Sequence, residues 1–263
     1  MRRFLLSSWL LFAPWANAQV LLKIDNNGIQ LDGYFYTASS QKAPTIVALH
    51  GCGGMLNPRG QPNLRTVAYA KFLNEQGWHV LFLDSFTARG VKSVCGSGGN
   101  VPPSLRVTDV QAAVAYVAKR EEVDAQRIGI LGWSHGGSTT LLANEKNVQY
   151  VVAPRAALAF YPGCGDGLGR INWQPARPIL LQLGAADDWT NAGFCQRLAV
   201  QWTELVQQDT YANANHGFDS DAPVRPVLLK TPHGSKTVHA GGEPAAKAAS
   251  QAKLIAFFKE YFK

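Results

Sequence analysis

Charged side chains are scarce: 16% of the 263 residues are Asp, Glu, Lys or Arg, against 46% that are hydrophobic. That balance excludes a disordered or solvating chain and supports a sizeable buried core. Glycine and proline, at 25 and 14 residues, are too few for a collagen-like or low-complexity protein. The 4 cysteines include no CxxC pair, so neither a redox motif nor a zinc site is expected. No block of Lys and Arg gathers on one segment, which argues against a nucleic-acid partner. No apolar run reaches the ~20 residues of a membrane span, so a stable membrane anchor is not expected either. Internal repeats and dividing linkers are lacking, and α/β chains of ~250 residues are routinely one domain.

The amino terminus carries its own signal. Arg2 and Arg3 precede an apolar stretch from Phe4 to Trp15, broken by Ser7, Ser8 and Pro14 and closed by Ala16-Asn17-Ala18. A basic start, a short apolar run and small residues at the end describe a secretory signal peptide over 1–18, cut before Gln19. The chain is therefore expected to be exported, to the periplasm or the medium. Losing Arg2 and Arg3 reduces the formal charge from +7 to +5. In an oxidising compartment Cys52, Cys95, Cys164 and Cys195 favour two disulfides, with about three connectivities open.

Apolar runs alternate with helical patterns through the remainder. Thr45–Leu49, Val80–Leu83, Ile128–Leu131, Ala157–Phe160 and Ile179–Leu183 read as strands buried on both faces of a parallel sheet. Val20–Ile24 and Gly33–Tyr36 read as an antiparallel pair at the sheet edge. Leu64–Gln76, Ser104–Arg120, Gly193–Gln207 and Ala245–Tyr261 read as helices, and Phe218–Glu243 as a long excursion with little periodicity. The pattern predicts a single α/β domain over 19–263, with a mostly parallel central sheet and helices on both faces. In such sheets reactive groups collect beyond the carboxyl ends of the strands.

Gly132-Trp133-Ser134-His135-Gly136-Gly137 directly follows one predicted strand and precedes a helical run. A serine in G-x-S-x-G at a strand-to-helix turn presents its hydroxyl outward as a nucleophile; the plain alternative is a serine capping an ordinary helix. A serine needs a base, and the base needs an orienting acid, in the chain order Ser, Asp or Glu, His. Asp187 and Asp188 follow Ile179–Leu183, and either could be the acid, with Asp187 preferred. His216 follows Asp209–Asn215 and is the expected base. His50 and His79 read as structural, and His233 and His239 as solvent-facing. The glycine-rich turn His50–Gly54 is suited to supply one oxyanion N–H, from Cys52, and the residue after the nucleophile, His135, the other. Trp133, Tyr161 and Trp189 could line an acyl pocket or simply pack. Arg59, Arg65 and Arg89 could attract a carboxylated substrate, although solvated surface is the simpler reading.

Together, His50-Gly-Cys-Gly-Gly, Gly132-Trp-Ser-His-Gly-Gly, Gly184-Ala-Ala-Asp-Asp-Trp and Asn215-His-Gly-Phe resemble the dienelactone hydrolase family of α/β-hydrolases, from about residue 30 to the last helix. The resemblance implies hydrolysis of a small-molecule ester or lactone through an acyl-enzyme, without metal or organic cofactor. It makes Ser134 the nucleophile, Asp187 the acid and His216 the base. The namesake enzymes carry a cysteine at the position of Ser134. A non-catalytic binding scaffold, or a small peptidase or thioesterase, are the alternatives on the same fold. If strands consecutive in the chain lie side by side, this topology would pair Cys52 with Cys95 and Cys164 with Cys195 and tie down loops at the catalytic rim.

Overall fold

The computed structural model describes residues 19–38, 42–96, 100–165, 173–231 and 234–263. The predicted signal peptide over 1–18 and His233 lie outside the described residues. The central sheet has 8 strands in the order β1-β2-β4-β3-β5-β6-β7-β8. These are β1 Gln19–Asn26, β2 Ile29–Tyr36, β3 Ala43–Leu49, β4 His79–Asp84, β5 Val123–Trp133, β6 Ala156–Phe160, β7 Ile179–Gly184 and β8 Val206–Tyr211. β1 and β2 pair antiparallel, as does β2 with β4, and every later pairing is parallel.

Period-2 alternation divides each inner strand between two cores. Val47 and Leu49 face the same core as Val110, Val114 and Val117 of α2 (Arg106–Val117), Leu141 of α3 (His135–Ala143) and Leu198 of α4 (Ala192–Gln201). Ile46 and Ala48 face Tyr69 and Leu73 of α1 (Leu64–Asn74) together with Leu254, Phe257 and Phe258 of α5 (Pro244–Tyr261). Each such Val, Leu, Ile or Phe taken fully out of water contributes roughly 1.5–3 kcal/mol. Side-chain caps start three helices: Asn63 accepts from Thr66 N, Asn191 from Gly193 N and Glu243 from Ala246 N. No described helix is long and apolar enough to cross a membrane.

Two expectations need correction. The helix expected over Gly193–Gln207 stops at Gln201, and the chain turns into edge strand β8, whose Gln207, Gln208 and Thr210 carry no apolar signal. The excursion Phe218–Glu243 contains an antiparallel hairpin, β9 Arg225–Thr231 and β10 Gly234–Ala240. Both disulfides form as the strand order suggested, Cys52–Cys95 and Cys164–Cys195.

Candidate active site

Ser134 stands between the end of β5 and the first residue of α3, with φ 53° and ψ −116°. A residue bearing a Cβ in such a conformation costs on the order of 1–3 kcal/mol and must be held by its surroundings. Its backbone is pinned on both sides: its N–H donates to Phe160 O at 2.9 Å, and its carbonyl accepts from Ser138 N at 2.8 Å. The flanking glycines allow the turn to close. A Cβ on Gly132 would sit 2.2 Å from Gly136 O, and one on Gly136 would sit 2.1 Å from Leu49 O. The Ser134 side chain makes no cap bond to α3, unlike an ordinary N-cap serine. Its Oγ lies 2.9 Å from His216 Nε2 instead.

His216 completes the line. Its Nδ1 lies 2.9 Å from Asp187 Oδ2, so the ring carries its proton on Nδ1 and leaves Nε2 to accept from the serine. The imidazole is buried between two aromatic rings, Tyr161 and Trp189, each with its centroid 4.6 Å away. Asp187 is fixed in turn: Oδ1 accepts from Trp189 N at 2.9 Å and Thr190 N at 2.8 Å. The Thr190 hydroxyl lies 2.9 Å from Asp187 Oδ2 and 3.0 Å from Tyr161 O. Asp188 points elsewhere and accepts from His239 N and His239 Nδ1, each at 2.8 Å. Burial pushes the Asp188 carboxyl up, but the hydrogen bonds and charge of His239 together more than reverse this, leaving it below its ordinary value. Thus His239, solvent-exposed as expected, also links hairpin strand β10 to the loop carrying Asp187. The residue that follows the strand reaches the base: Gly241 N donates to His216 O at 2.9 Å.

The turn His50–Gly54 lies against the nucleophile. A Cβ on Gly51 would be 3.4 Å from Trp133 O and 3.6 Å from Ser134 Cβ. The Cys52–Cys95 disulfide and the 2.8 Å bond from Val94 N to Cys52 O hold this turn, and His135 begins α3 beside Ser134. His135 thus directly follows the serine, and Gly51, the residue before Cys52, packs against it. His50 is buried: its Nε2 accepts from Ser85 N at 3.3 Å, and burial, aided by the Arg106 charge, holds it well below its ordinary pKa. His79 is a satisfied core residue, as expected, with Nδ1 accepting from Ala38 N at 2.8 Å.

Beneath the site lies a polar cluster that the sequence reading missed. The buried Asp219 carboxylate accepts from Arg65 Nη1 at 2.8 Å, Tyr69 OH at 2.8 Å, Trp133 Nε1 at 2.9 Å and Tyr161 OH at 2.6 Å. Burial raises both tyrosines well above the ordinary phenol value, and the Asp219 charge adds to this. Burial alone would lower the Arg65 pKa, but Asp219 more than reverses that. Trp133 and Tyr161 are thus packing residues with satisfied polar ends, and Trp189 alone of the three aromatics reaches the partly exposed rim. Arg65 and Arg89 are not solvated surface: Arg65 pairs with Asp219 and Arg89 with Asp109 at 2.7 Å, while Arg59 is exposed. Only the position of Asp219 three residues after His216 hinted at the cluster.

A mostly parallel sheet covered by helices on both faces, with a strained serine at a strand-to-helix turn beside a buried His–Asp pair, defines an α/β-hydrolase. The chain belongs to the dienelactone hydrolase family, whose profile matches residues 31–262, and this is a family of carboxylic ester hydrolases. Among solved structures it is similar to a candidate dienelactone hydrolase from Klebsiella pneumoniae subsp. pneumoniae MGH 78578, with TM-score 0.71 and 16% identity over 93% of this chain and 99% of that one. Among curated proteins it is 32% identical over 138 residues to acylamino-acid-releasing enzyme 1 of Oryza sativa subsp. japonica, covering 49% of this chain and 16% of that protein. It is 30% identical over 127 residues to a Bradyrhizobium sp protein described as a probable 2-oxo-3-(5-oxofuran-2-ylidene)propanoate lactonase, covering 42% and 47% of the two chains. The chain spans less than half the length of the curated relatives it matches.

Proposed function

We propose that this chain is a serine hydrolase that cleaves a small-molecule ester or lactone through a Ser134 acyl-enzyme. The observation that carries the reading is the unbroken line Ser134 Oγ–His216 Nε2–His216 Nδ1–Asp187 Oδ2, with both links at 2.9 Å. His216 takes the hydroxyl proton as Ser134 Oγ attacks the acyl carbonyl. Asp187 holds the resulting imidazolium, and the backbone N–H groups of Cys52 and His135 bind the oxyanion. His216 then passes its proton to the departing alkoxide. Water, deprotonated by the same imidazole, attacks the acyl-serine; His216 returns that proton to Ser134 Oγ as the acid leaves, restoring the enzyme. No metal or organic cofactor enters these steps. A lactone opens by the same sequence, its alkoxide staying tethered to the acyl group, and the match to a lactonase supports including that class.

We further propose that residues 1–18 direct export and that 19–263 form the mature domain, a reading supported by the two disulfides. The test of function is Ser134→Ala in the mature protein. Turnover of p-nitrophenyl acetate should vanish with the far-UV spectrum intact, and a fluorophosphonate probe should label wild type at Ser134. Turnover that survives the substitution, or labelling elsewhere, would falsify the assignment.

A further inference from the structure

Arg106, the first residue of α2, is among the largest fully buried side chains of the protein and plays no part in the steps above. Its Nη1 donates to His50 O at 2.9 Å and lies 2.9 Å from His135 Nδ1. A guanidinium has only donors, so His135 Nδ1 is the acceptor, and the ring is neutral with its proton on Nε2. Burial, aided by the Arg106 charge, pushes the His135 pKa down to about 3. The two acceptors belong to the two segments that carry the proposed oxyanion donors: His50 opens the turn containing Cys52, and His135 supplies the second N–H itself. Those segments touch directly, because Gly136 has no room for a Cβ against Leu49 O and His50 O. Phe86 forms a common seat beneath them, with its ring centroid 5.3 Å from Arg106 Cζ, 4.4 Å from the His50 ring and 6.0 Å from the His135 ring.

The nearby acids do not claim this guanidinium. Asp109 is bound by Arg89 and Asn26, and Asp84 accepts from Phe86 N, Thr87 N and the Thr87 hydroxyl. Arg106 Nε and Nη2 have no acceptor among the described residues. Burying a charge without a directly bonded carboxylate is expensive. What it gains here is a single nitrogen, Nη1, on a rigid planar group, tied to both donor segments, and a positive charge behind the place where negative charge would develop.

We propose that Arg106 is the positioning residue of the oxyanion site, one buried guanidinium that sets the Cys52 and His135 N–H groups in register. The inference rests on the serine-hydrolase reading. A displacement of about 1 Å at such a site can cost ~100-fold in rate. Arg106→Met should therefore lower kcat for p-nitrophenyl acetate at least tenfold while KM changes less than threefold. Arg106→Lys, keeping the charge but not the planar guanidinium, should recover only part of kcat. Should Arg106→Met fail to fold, His135→Phe keeps the residue 135 N–H and the bond to His50 while cutting one of the two ties. It should lower kcat about threefold to tenfold at unchanged KM.

A folded Arg106→Met or His135→Phe protein with wild-type kcat overturns the proposal. So does a loss that falls equally on KM and melting temperature, which would mark a purely structural side chain. Wild type that neither turns over the ester nor labels at Ser134 removes the serine-hydrolase reading, and this inference with it. That outcome is read from wild type alone, so the two failures are distinguishable.

Discussion

Asp187 and Asp188 are neighbours in the chain, yet each carboxylate takes a different histidine: Asp187 holds buried His216, and Asp188 holds exposed His239 on the hairpin. Asp187→Asn should therefore lower kcat by roughly 10³–10⁴ by disturbing the imidazole tautomer and its charge. Asp188→Asn should leave kcat within a few-fold of wild type. Initial rates on p-nitrophenyl acetate separate the two, and equal losses would contradict the assignment of the acid.

Asp219 should behave as a structural anion. Asp219→Asn leaves the Arg65 guanidinium without its carboxylate partner and weakens the bonds from Tyr69, Trp133 and Tyr161. Breaking a buried pair by removing one partner costs about 3–5 kcal/mol. Denaturant titration should show that loss, and a variant as stable as wild type would remove the cluster's structural role.

The disulfides close loops spanning 43 and 31 positions. A chain-entropy treatment gives each about 4 kcal/mol, within the usual upper range. Replacing Cys164 and Cys195 together by alanine should lower stability by ~2–4 kcal/mol with little change in kcat. Replacing Cys52 and Cys95 should lower both, because Cys52 sits in the turn against Ser134. Parallel melting curves and kinetics on the two double variants check this.

Acid should destabilise the fold through its neutral histidines. Burial lowers His50, His79 and His135, the last to about 3, each from an ordinary value of 6.5. A depressed folded-state pKa gives stability that is complete above the unfolded value and lost as pH falls below it towards the folded one. Stability from urea titration should therefore be flat above pH ~7.5 and decline below pH ~6.5, by up to ~1.4 kcal/mol per pH unit for each histidine. A stability that rises between pH 7 and 5 would contradict this.

The inner strands were legible in the sequence because β3, β4, β6 and β7 are buried along their whole length and so carry apolar runs, which Thr45, His79, Asp84 and Gln182 interrupt without hiding. Edge strand β8 and the hairpin were not legible, since β8 and β10 are largely polar and the short run Val227–Leu229 of β9 is flanked by Pro226 and Lys230, both exposed. Local motifs pointed to Ser134, Asp187 and His216. The choice between Asp187 and Asp188, by contrast, depends on which ring approaches each one from distant parts of the chain. Helix α2 shows a similar limit. Leu105 and Val107 are apolar, yet Arg106 and Asp109 turn inward and Leu105, just before the helix, is 39% exposed. Periodicity ranks residues by hydrophobicity, so an inward-facing arginine is invisible to it.

The two covalent ties fall on opposite flanks of β5 in the sheet, one joining the segments after β3 and β4, the other those after β6 and β7. The serine thus emerges from a seam between two stapled panels. Prising the strand ends apart would work against a crosslink on either flank, and the β9–β10 hairpin adds a non-covalent tie where it leans on residues 188 and 216.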